Sequence, residues 1–294
     1  MRASRVAAGV EATLAVVIWG ASFIATRLAL RELSPAVVVW MRFAMGVLVL
    51  GVAVVARREL AWPGWKEAAY FTLLGALGIT FHQWLQSTGL QTSQASTTAW
   101  IVTTSPVFIA ALGWLFLKER LGALQVLGIA LAAAGVWLVV AGGNWRAVSI
   151  GRFGAPGDVL ILISAVNWAV FSVLSRAGLQ RHPATRMIFY VVLAGWLLST
   201  PLLWTGPGLR EVGALSPGGW LAVGFLGLFC SGLAYIFWYD ALKVMAASQL
   251  GVFLYLEPLV TLVVAAVVLG EAVVGAALAG GAIILLGVWL VTRR

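Results

Sequence analysis

Charged residues, cysteine and histidine are all scarce in this sequence of 294 residues. Only 10% of the residues are charged, whereas about a quarter are charged in an ordinary soluble domain. Hydrophobic residues make up 62% of the chain, and the mean hydropathy is +1.01. A water-soluble core cannot bury that much apolar surface, so the composition predicts a membrane protein. The single cysteine, Cys230, excludes a disulfide framework and a multi-cysteine metal cluster.

Sequence signatures of catalysis are also missing. The two histidines, His82 and His182, form neither an HExxH pattern nor a histidine-rich metal site. The sequence contains no nucleophile–base set, no glycine-rich phosphate loop and no ATPase domain. We therefore expect no enzyme activity, no cofactor and no metal, and any transport would be secondary or facilitative. A lipid-modifying enzyme that uses His82 and Glu257, and a receptor or assembly subunit without transport, stay open as alternatives.

Basic residues outnumber acidic ones by 19 to 10, which gives a net charge of +9. In a chain this apolar, such residues mark cytoplasmic loops and helix ends, so no nucleic-acid partner is expected. With the N-terminus inside, 13 of them fall on the cytoplasmic side, 5 on the outer side and Arg42 within a span, which accounts for all 19. This bias predicts a multi-pass protein of the bacterial plasma (inner) membrane with both termini cytoplasmic.

Ten apolar stretches approach the roughly 20 residues that a spanning helix needs. They cover about 10–30, 35–56, 67–87, 94–117, 124–141, 157–178, 185–204, 218–240, 248–269 and 274–291. The first stretch is too long for the apolar part of a signal peptide, so we expect it to remain as an uncleaved span. The longest connection, residues 142–157, is rich in glycine and is the expected joint between two halves.

One segment occurs twice, as GVWLVV at Gly135–Val140 and as GVWLVT at Gly287–Thr292, with a spacing of 287 − 135 = 152 residues. Further pairs at this spacing are Ala95-Ser96 with Ala247-Ser248, Pro106 with Pro258, Leu117 with Leu269, Glu119 with Glu271, and Gly128 with Gly280. Each half holds five spans, an odd number, so the second copy would enter the membrane from the opposite side. We predict an all-α protein of ten helices, built from inverted repeats at 1–143 and 157–294 with a linker at 144–156. Such repeats are typical of alternating access.

The repeated glycines predict a packing face. Gly128 and Gly135 lie two turns apart on the fifth span, and Gly280 and Gly287 do so on the tenth. Small residues at this spacing let membrane helices approach closely. We therefore expect these two helices to pack tightly, against each other or against their neighbours, for structural reasons.

The stretch IWGASFIATRLALRELSPAVVVWMRFAMGVLVL (Ile18–Leu50) resembles the opening of EamA-type transporters of the drug/metabolite transporter superfamily. The matching features are Trp19-Gly20, Phe23, Ser34-Pro35 and Arg42-Phe43. Thr88–Val139 resembles the fourth and fifth spans of that family, and Ala246–Val291, around Pro258 and GEAVVG, is its second-half counterpart. The resemblance implies a five-plus-five helix exporter of small metabolites, often amino acids, and within the family it is most similar to the amino-acid exporters, including those for aromatic amino acids.

Polar residues within the spans, accompanied by aromatic ones, predict a central solute chamber. Glu257 stands in the ninth span before Pro258, and an ionisable group at that depth is expensive and marks a polar pathway. His82 forms a stripe with Gly78 and Gln86 at helical spacing. The full set of candidate solute-binding residues is His82, Gln86, Trp100, Asn167, Trp168, Tyr235, Tyr239 and Glu257. We expect His82 to donate a hydrogen bond to a solute carboxylate, and we interpret Arg42 as a structural anchor more than a solute contact.

An aromatic, mildly polar chamber fits neutral or zwitterionic solutes. The expected function is therefore broad-specificity export of amino acids, aromatic and other neutral ones, by a monomer whose partners are these solutes and membrane lipids. Export of drug-like or cationic aromatic compounds is the alternative, because rings also bind such compounds by stacking and cation–π contacts. Phosphorylated cargo is disfavoured because it would need several buried cations, and only Arg42 lies plainly within a span.

Overall fold

The computed structural model describes residues 2–117, 122–141, 154–245, 250 and 253–292. Within these ranges the regular structure is helical throughout, and no strand is formed. The helices that are largely uninterrupted are α1 (Arg2–Ala29), α2 (Pro35–Ala56), α5 (Ala123–Ala141), α6 (Pro156–Leu179), α7 (Ala184–Ser199, then a 3₁₀ turn Thr200–Thr205) and α10 (Gly275–Thr292). The segmented helices are α3 (Trp65–Gly75, Ala76–Phe81, His82–Gly89), α4 (Ala95–Val102, Ser105–Leu117), α8 (Pro217–Gly224, Phe225–Leu233, Ala234–Val244) and α9 (Leu254–Leu256, Glu257–Val264, Ala265–Leu269).

Eight helices in the described ranges are long and apolar enough to cross a membrane. They are Arg5–Ala29, Pro35–Ala56, Ala95–Leu112, Ala123–Ala141, Pro156–Leu179, Ala184–Thr205, Pro217–Val244 and Gly275–Thr292. The two remaining predicted spans are also helical: α3 carries several polar residues in its second half, and α9 is described only as the shorter apolar helix Leu254–Leu269. The prediction of an all-helical membrane protein is confirmed, while the count of ten spans in inverted repeats stays a prediction.

Some predicted features lie outside the described residues. These are most of the joint at 142–157 and of the linker at 144–156, together with Glu119 and Ala247-Ser248.

The segmented helices are interrupted at corresponding places. In α4 the α-helix resumes at Ser105, directly before Pro106, and in α9 it begins at Glu257, directly before Pro258, a separation of 257 − 105 = 152 residues. Proline has no N–H and leaves the carbonyl of the preceding turn without its helical donor. In α4 the Ser105 hydroxyl donates to that carbonyl, Val102 O, at 2.7 Å.

A π-helical segment also occurs in both α3 (Ala76–Phe81) and α8 (Phe225–Leu233). Such segments are rare and frequently occur at functional sites. Both are flanked by α-helix on each side, so each helix continues beyond its π segment.

Helices α5 and α10 pack through the repeated glycines. A methyl group at Gly128 would lie 2.6 Å from Gly287 O, and one at Gly135 would lie 2.7 Å from Gly280 O. Residue numbers therefore increase along α5 while those of the facing residues on α10 decrease, so these two helices run antiparallel. The predicted close packing of the glycine faces is confirmed.

Ion pairs among the described residues lie at the two ends of the helices. At one end Arg57 pairs with Asp240, which also contacts Lys243, and Glu67 pairs with Arg186. At the other end Arg27 pairs with Glu271 at 3.0 Å. The arginine and lysine residues that the sequence assigns to the same side of the membrane thus lie at the same end of the helices. Which end faces the cytoplasm stays a prediction.

Candidate functional site: a polar and aromatic centre

His82 begins the last segment of α3 and packs on an aromatic face of α6. Its ring lies 4.9 Å from the Trp168 ring, which in turn lies 4.9 Å from Phe171. His82 is buried, and its Nδ1 is 3.1 Å from the Ser164 carbonyl oxygen. A carbonyl oxygen only accepts, so the hydrogen is on Nδ1, and in the neutral ring Nε2 is then an acceptor. The expected donation from His82 to a solute carboxylate therefore does not fit the neutral ring.

The π segment of α3 is held by side chains of α6 and by the backbone of α7. Asn167 Nδ2 donates to Leu77 O at 2.7 Å, and Thr80 Oγ1 donates to Gly195 O at 2.8 Å. Gly78 makes room for the Phe171 ring, since a methyl group there would lie 2.5 Å from Phe171 Cδ2. The amide nitrogen of Asn167 thus serves the helix backbone, and its Oδ1 accepts no bond from the described residues.

The aromatic rings of α8 meet α1. Tyr235 packs edge-on against Trp19 at 5.6 Å, and Trp238 lies 5.3 Å from the same indole. Trp19 Nε1 donates to Cys230 O at 3.2 Å. Trp19, Trp168, Tyr235 and Tyr239 all pack in one hydrophobic cluster with side chains of α2, α3 and α7. The structure therefore brings Trp168, Tyr235 and Tyr239 into one cluster.

Arg42 of α2 lies at the crossing of three helices. Its Nε donates to Ser231 Oγ of α8 at 3.0 Å, and its Nη1 donates to Gln83 Oε1 of α3 at 2.9 Å. These bonds join α2 to α3 and α8, as expected of an anchor. Sequence reasoning missed Gln83 and Ser231. A usable signal for Gln83 was present, because a buried guanidinium needs hydrogen-bond acceptors and Gln83 is a polar residue next to His82.

Two further candidates are Trp100 and Gln86. Trp100 is buried in a different cluster with residues of α5 and α10, and a methyl group at Gly281 would lie 2.5 Å from its ring. Trp100 therefore packs apart from the cluster of Trp168, Tyr235 and Tyr239, and its contact with solute stays a prediction. Gln86, one turn beyond His82, is buried, and its amide has no partner among the described residues.

Glu257 lies where α9 crosses α1. A methyl group at Gly20 would lie 2.9 Å from the Glu257 carbonyl oxygen, and Thr261 Oγ1 donates to Gly20 O at 2.7 Å. The Glu257 side chain is half-buried and has no hydrogen bond or ion pair with the described residues. Because Gly20 is adjacent to Trp19, the backbone of Glu257 lies near the Trp19 end of the aromatic cluster.

A cavity of about 700 Å³ lies at the Arg27 end of the helices. Arg27, Arg31 and Glu271 contribute its charged groups, and Gln91 and Gln94 contribute amides. Glu271 accepts from the backbone N–H groups of Ala95 and Ser96 and from Arg27. Sequence reasoning did not anticipate this cavity, because its wall is formed by turns that only the fold brings together.

The chain resembles proteins described as transporters. It is 30% identical over 283 residues to a "Probable terminal-alkyne amino-acid exporter" of Streptantibioticus cattleyicolor, covering 96% of this chain and 92% of that protein. It is 29% identical to an "Uncharacterized transporter" of Archaeoglobus fulgidus over 96% of both chains. It is also 26% identical to a "Probable amino-acid metabolite efflux pump" of Salmonella typhimurium, over 96% and 93% of the two chains.

A crystal structure of another protein matches the fold with a TM-score of 0.68, at 24% identity, over 96% of this chain and 95% of that chain. At that identity the match concerns the fold alone. The profile of the EamA-like transporter family matches residues 10–141 and again 155–293. With both stretches matched and eight candidate spans, the chain belongs to the EamA-like transporter family and is a multi-pass membrane transporter.

Proposed function

We propose that this transporter exports small metabolites, above all aromatic and other neutral amino acids, by secondary or facilitative transport with broad specificity. The contact between His82 and Trp168 is the observation that carries this proposal. It places a hydrogen-bond acceptor on an aromatic face, deep in the helices, and it joins α3 of the first sequence half to α6 of the second. The relatives described as amino-acid exporters support the class of solute.

The chemistry of the centre fits a zwitterion with a variable side chain. His82 Nε2 and Asn167 Oδ1 are the acceptors for the solute amino group. The Trp168 and Tyr235 rings offer apolar faces to its side chain. Discrimination is strong only where buried polar groups would be left unpaired, so rings that accept many side chains give broad specificity.

Alternating access is the mechanism we propose, between halves 1–143 and 157–294 joined by the linker 144–156. Support comes from the antiparallel packing of α5 on α10, and from the proline interruptions of α4 and α9 at the repeat spacing. The π segments of α3 and α8 add a third correspondence. In this arrangement ten spans cross the bacterial inner membrane, both termini are cytoplasmic, and the monomer is the transporting unit.

A second candidate function is export of cationic aromatic compounds. Glu257 favours it, because its half-buried carboxyl group has no partner among the described residues and is available to pair with a cation. The two functions differ in the transported solute. Under the second one, aromatic amines without a carboxylate would be carried at least as fast as amino acids.

The test of function is a counterflow screen in liposomes that contain only this protein. Liposomes are loaded with one unlabelled amino acid, and entry of the labelled one is followed for the common amino acids and for aromatic amines. We expect saturable counterflow of aromatic and other neutral amino acids. Protein-dependent flux of amines alone would favour the second candidate, and no flux of any solute would contradict both.

Topology is tested by labelling single cysteines. The native Cys230 is buried, and it is replaced by serine to give a cysteine-free background. Cysteines introduced between residues 142 and 157 should react with an impermeant maleimide from outside intact cells. Reaction only after the cytoplasmic face is exposed would overturn the proposed orientation.

A further inference from the structure

Arg42 has more hydrogen-bond donors than the described part of the chain satisfies. Arginine carries five N–H donors, and its two bonds, to Ser231 and Gln83, use two of them. The residue is only 6% exposed. No carboxylate of the described residues pairs with it, and the two partners that it has are neutral. The guanidinium is therefore a buried positive charge, and within the described ranges donors on Nη1 and Nη2 have no acceptor.

Other polar groups beside Arg42 are also without partners. The Ser87 hydroxyl lies on α3 one turn after Gln83, is buried, and has no hydrogen-bond partner in the described chain. Gln86, on the same turn, has an amide with no hydrogen bond to the residues described. Tyr235 lies four residues after Ser231 on α8, and its hydroxyl is unpaired among the described residues. These groups come from α2, α3 and α8, so the polar side chains without partners form a site at which three helices meet.

A buried charge without a counter-ion is costly in a membrane protein, and native structures rarely leave several neighbouring buried groups unpaired. A ligand that is itself an anion removes both costs. Guanidinium groups bind carboxylates through two parallel N–H···O bonds, and the free donors of Arg42 can form such bonds. His82 cannot take this role in its neutral form, because its free nitrogen is an acceptor.

We propose that Arg42 binds the carboxylate of the transported solute, with Gln83 and Ser231 holding the guanidinium in place and Gln86, Ser87 and Tyr235 offering further hydrogen bonds. The proposal rests on the proposed transport function and narrows it to solutes with a carboxylate. His82 Nε2, on the residue next to Gln83, then receives the amino group. Cations without a carboxylate are excluded as solutes, because they would leave the Arg42 guanidinium unpaired and would be repelled by its positive charge.

The first test needs no variant. Unlabelled phenylalanine, phenylalanine amide and phenethylamine share one ring and differ in the carboxylate, and each is added as a competitor of phenylalanine counterflow. We expect phenylalanine to compete at least about tenfold better than the other two, since unpaired buried groups give strong discrimination. Equal competition by all three would overturn the carboxylate site while transport itself stands. Absence of counterflow would instead contradict the proposed function.

The second test changes the site. Arg42→Gln should reduce the preference for phenylalanine over its amide to less than about threefold, whereas Arg42→Lys should keep part of it because the charge remains. Arg181→Gln, at an exposed loop arginine, is the matched control and should keep the full preference. If Arg42→Gln folds and discriminates like the native protein, the proposal is wrong. If it does not fold, the competition series on the native protein decides.

Discussion

The α5–α10 contact and the polar centre join the same two sequence halves with opposite chemistry. In the contact, glycines bring backbone against backbone, with Gly135 against Gly280 O at 2.7 Å, and apolar side chains such as Ile284 and Val288 fill the rest. In the centre, helices meet through rings and side-chain hydrogen bonds, as between Arg42 and Ser231. Several polar groups there have no partner among the residues that the structure describes.

This difference separates structural roles from functional ones. Close-packed backbones tolerate little change in shape, because even one added methylene group is felt in such packing. Unpaired buried polar groups, in contrast, lower the stability of the empty protein and are retained where something else satisfies them. We therefore infer that the α5–α10 contact holds the halves together and that solute passes through the centre. Substitutions should accordingly affect folding in the first region and transport in the second.

The largest expected effect is on folding. Leucine at Gly135 or Gly280 cannot fit, because its Cβ would lie within 2.8 Å of a backbone oxygen of the facing helix. We expect at least about a tenfold loss of monodisperse protein in detergent, since overpacking costs about 1–3 kcal/mol or more. Gly275→Leu is the control on the same helix, where an added methyl group meets nothing within 4 Å. Normal yield with altered solute preference would place this face in the transport pathway.

The next effect is on transport without loss of fold. His82→Ala and Trp168→Ala remove the acceptor and the ring on which solute is proposed to lie. Each should lower the initial rate of amino-acid counterflow by about tenfold, because a lost contact of this kind costs about 1–3 kcal/mol. Expression and elution volume should stay near native. The control is Trp204→Ala, an exposed tryptophan beyond the core of α7; full transport of every solute by both variants would mean that the site lies elsewhere.

A smaller effect is expected at the Arg27 end. Glu271 accepts from Ala95 N at 2.9 Å and from both the backbone N and the hydroxyl of Ser96, and so caps the start of α4. Glu271→Gln should cost about 1 kcal/mol, the usual contribution of a lost helix cap, and lower the melting temperature by about 2–4 °C. Glu211→Gln is the control, since that carboxylate has one described bond, to Ser34 N. Equal shifts for the two variants would refute the capping role.

The smallest effect is a pH dependence at the surface. Hydrogen bonds from the Ser216 hydroxyl and backbone N–H hold the pKa of Glu32 below its usual value of 4.5. Because the pKa of Glu32 is lower in the folded than in the unfolded state, its ionised carboxylate stabilises the protein above pH 4.5. This stabilisation is lost as the pH falls through the folded-state pKa. The melting temperature of Glu32→Gln should therefore be slightly below native at pH 7 and converge with it in acid. A constant difference at all pH values would show that ionisation of Glu32 is not involved.

Much of the fold could be predicted from the sequence because lipid leaves few options. Ranges such as 35–56 and 124–141 follow from apolar length alone, and they agree with α2 and α5. The glycine contact followed from the spacing of Gly128 and Gly135. The π segments were not predicted, because they depend on partners from other helices, such as Asn167 binding Leu77 O, which no local pattern encodes.

The candidate site was predicted less completely. His82, Trp168, Tyr235 and Tyr239 are polar or aromatic residues deep in apolar spans, and composition within a helix is enough to select them. Trp100 has the same signature but packs on Gly281 in a different cluster, and a position within one helix does not predict which cluster a ring joins. The direction of the His82 hydrogen bond and the free donors of Arg42 depend on Ser164 and Ser231, whose proximity only the three-dimensional packing creates.

The central claim, that solute crosses between two halves that alternate in access, is tested most directly by linking them. Arg57 and Asp240 form an ion pair between α2 and α8 at 2.9 Å. In a background carrying Cys230→Ser, the double variant Arg57→Cys, Asp240→Cys is treated with a short, reducible bifunctional thiol reagent, and the two single-cysteine variants serve as controls. We expect amino-acid counterflow to stop on cross-linking and to return on reduction. Unchanged counterflow in the fully cross-linked protein would contradict it.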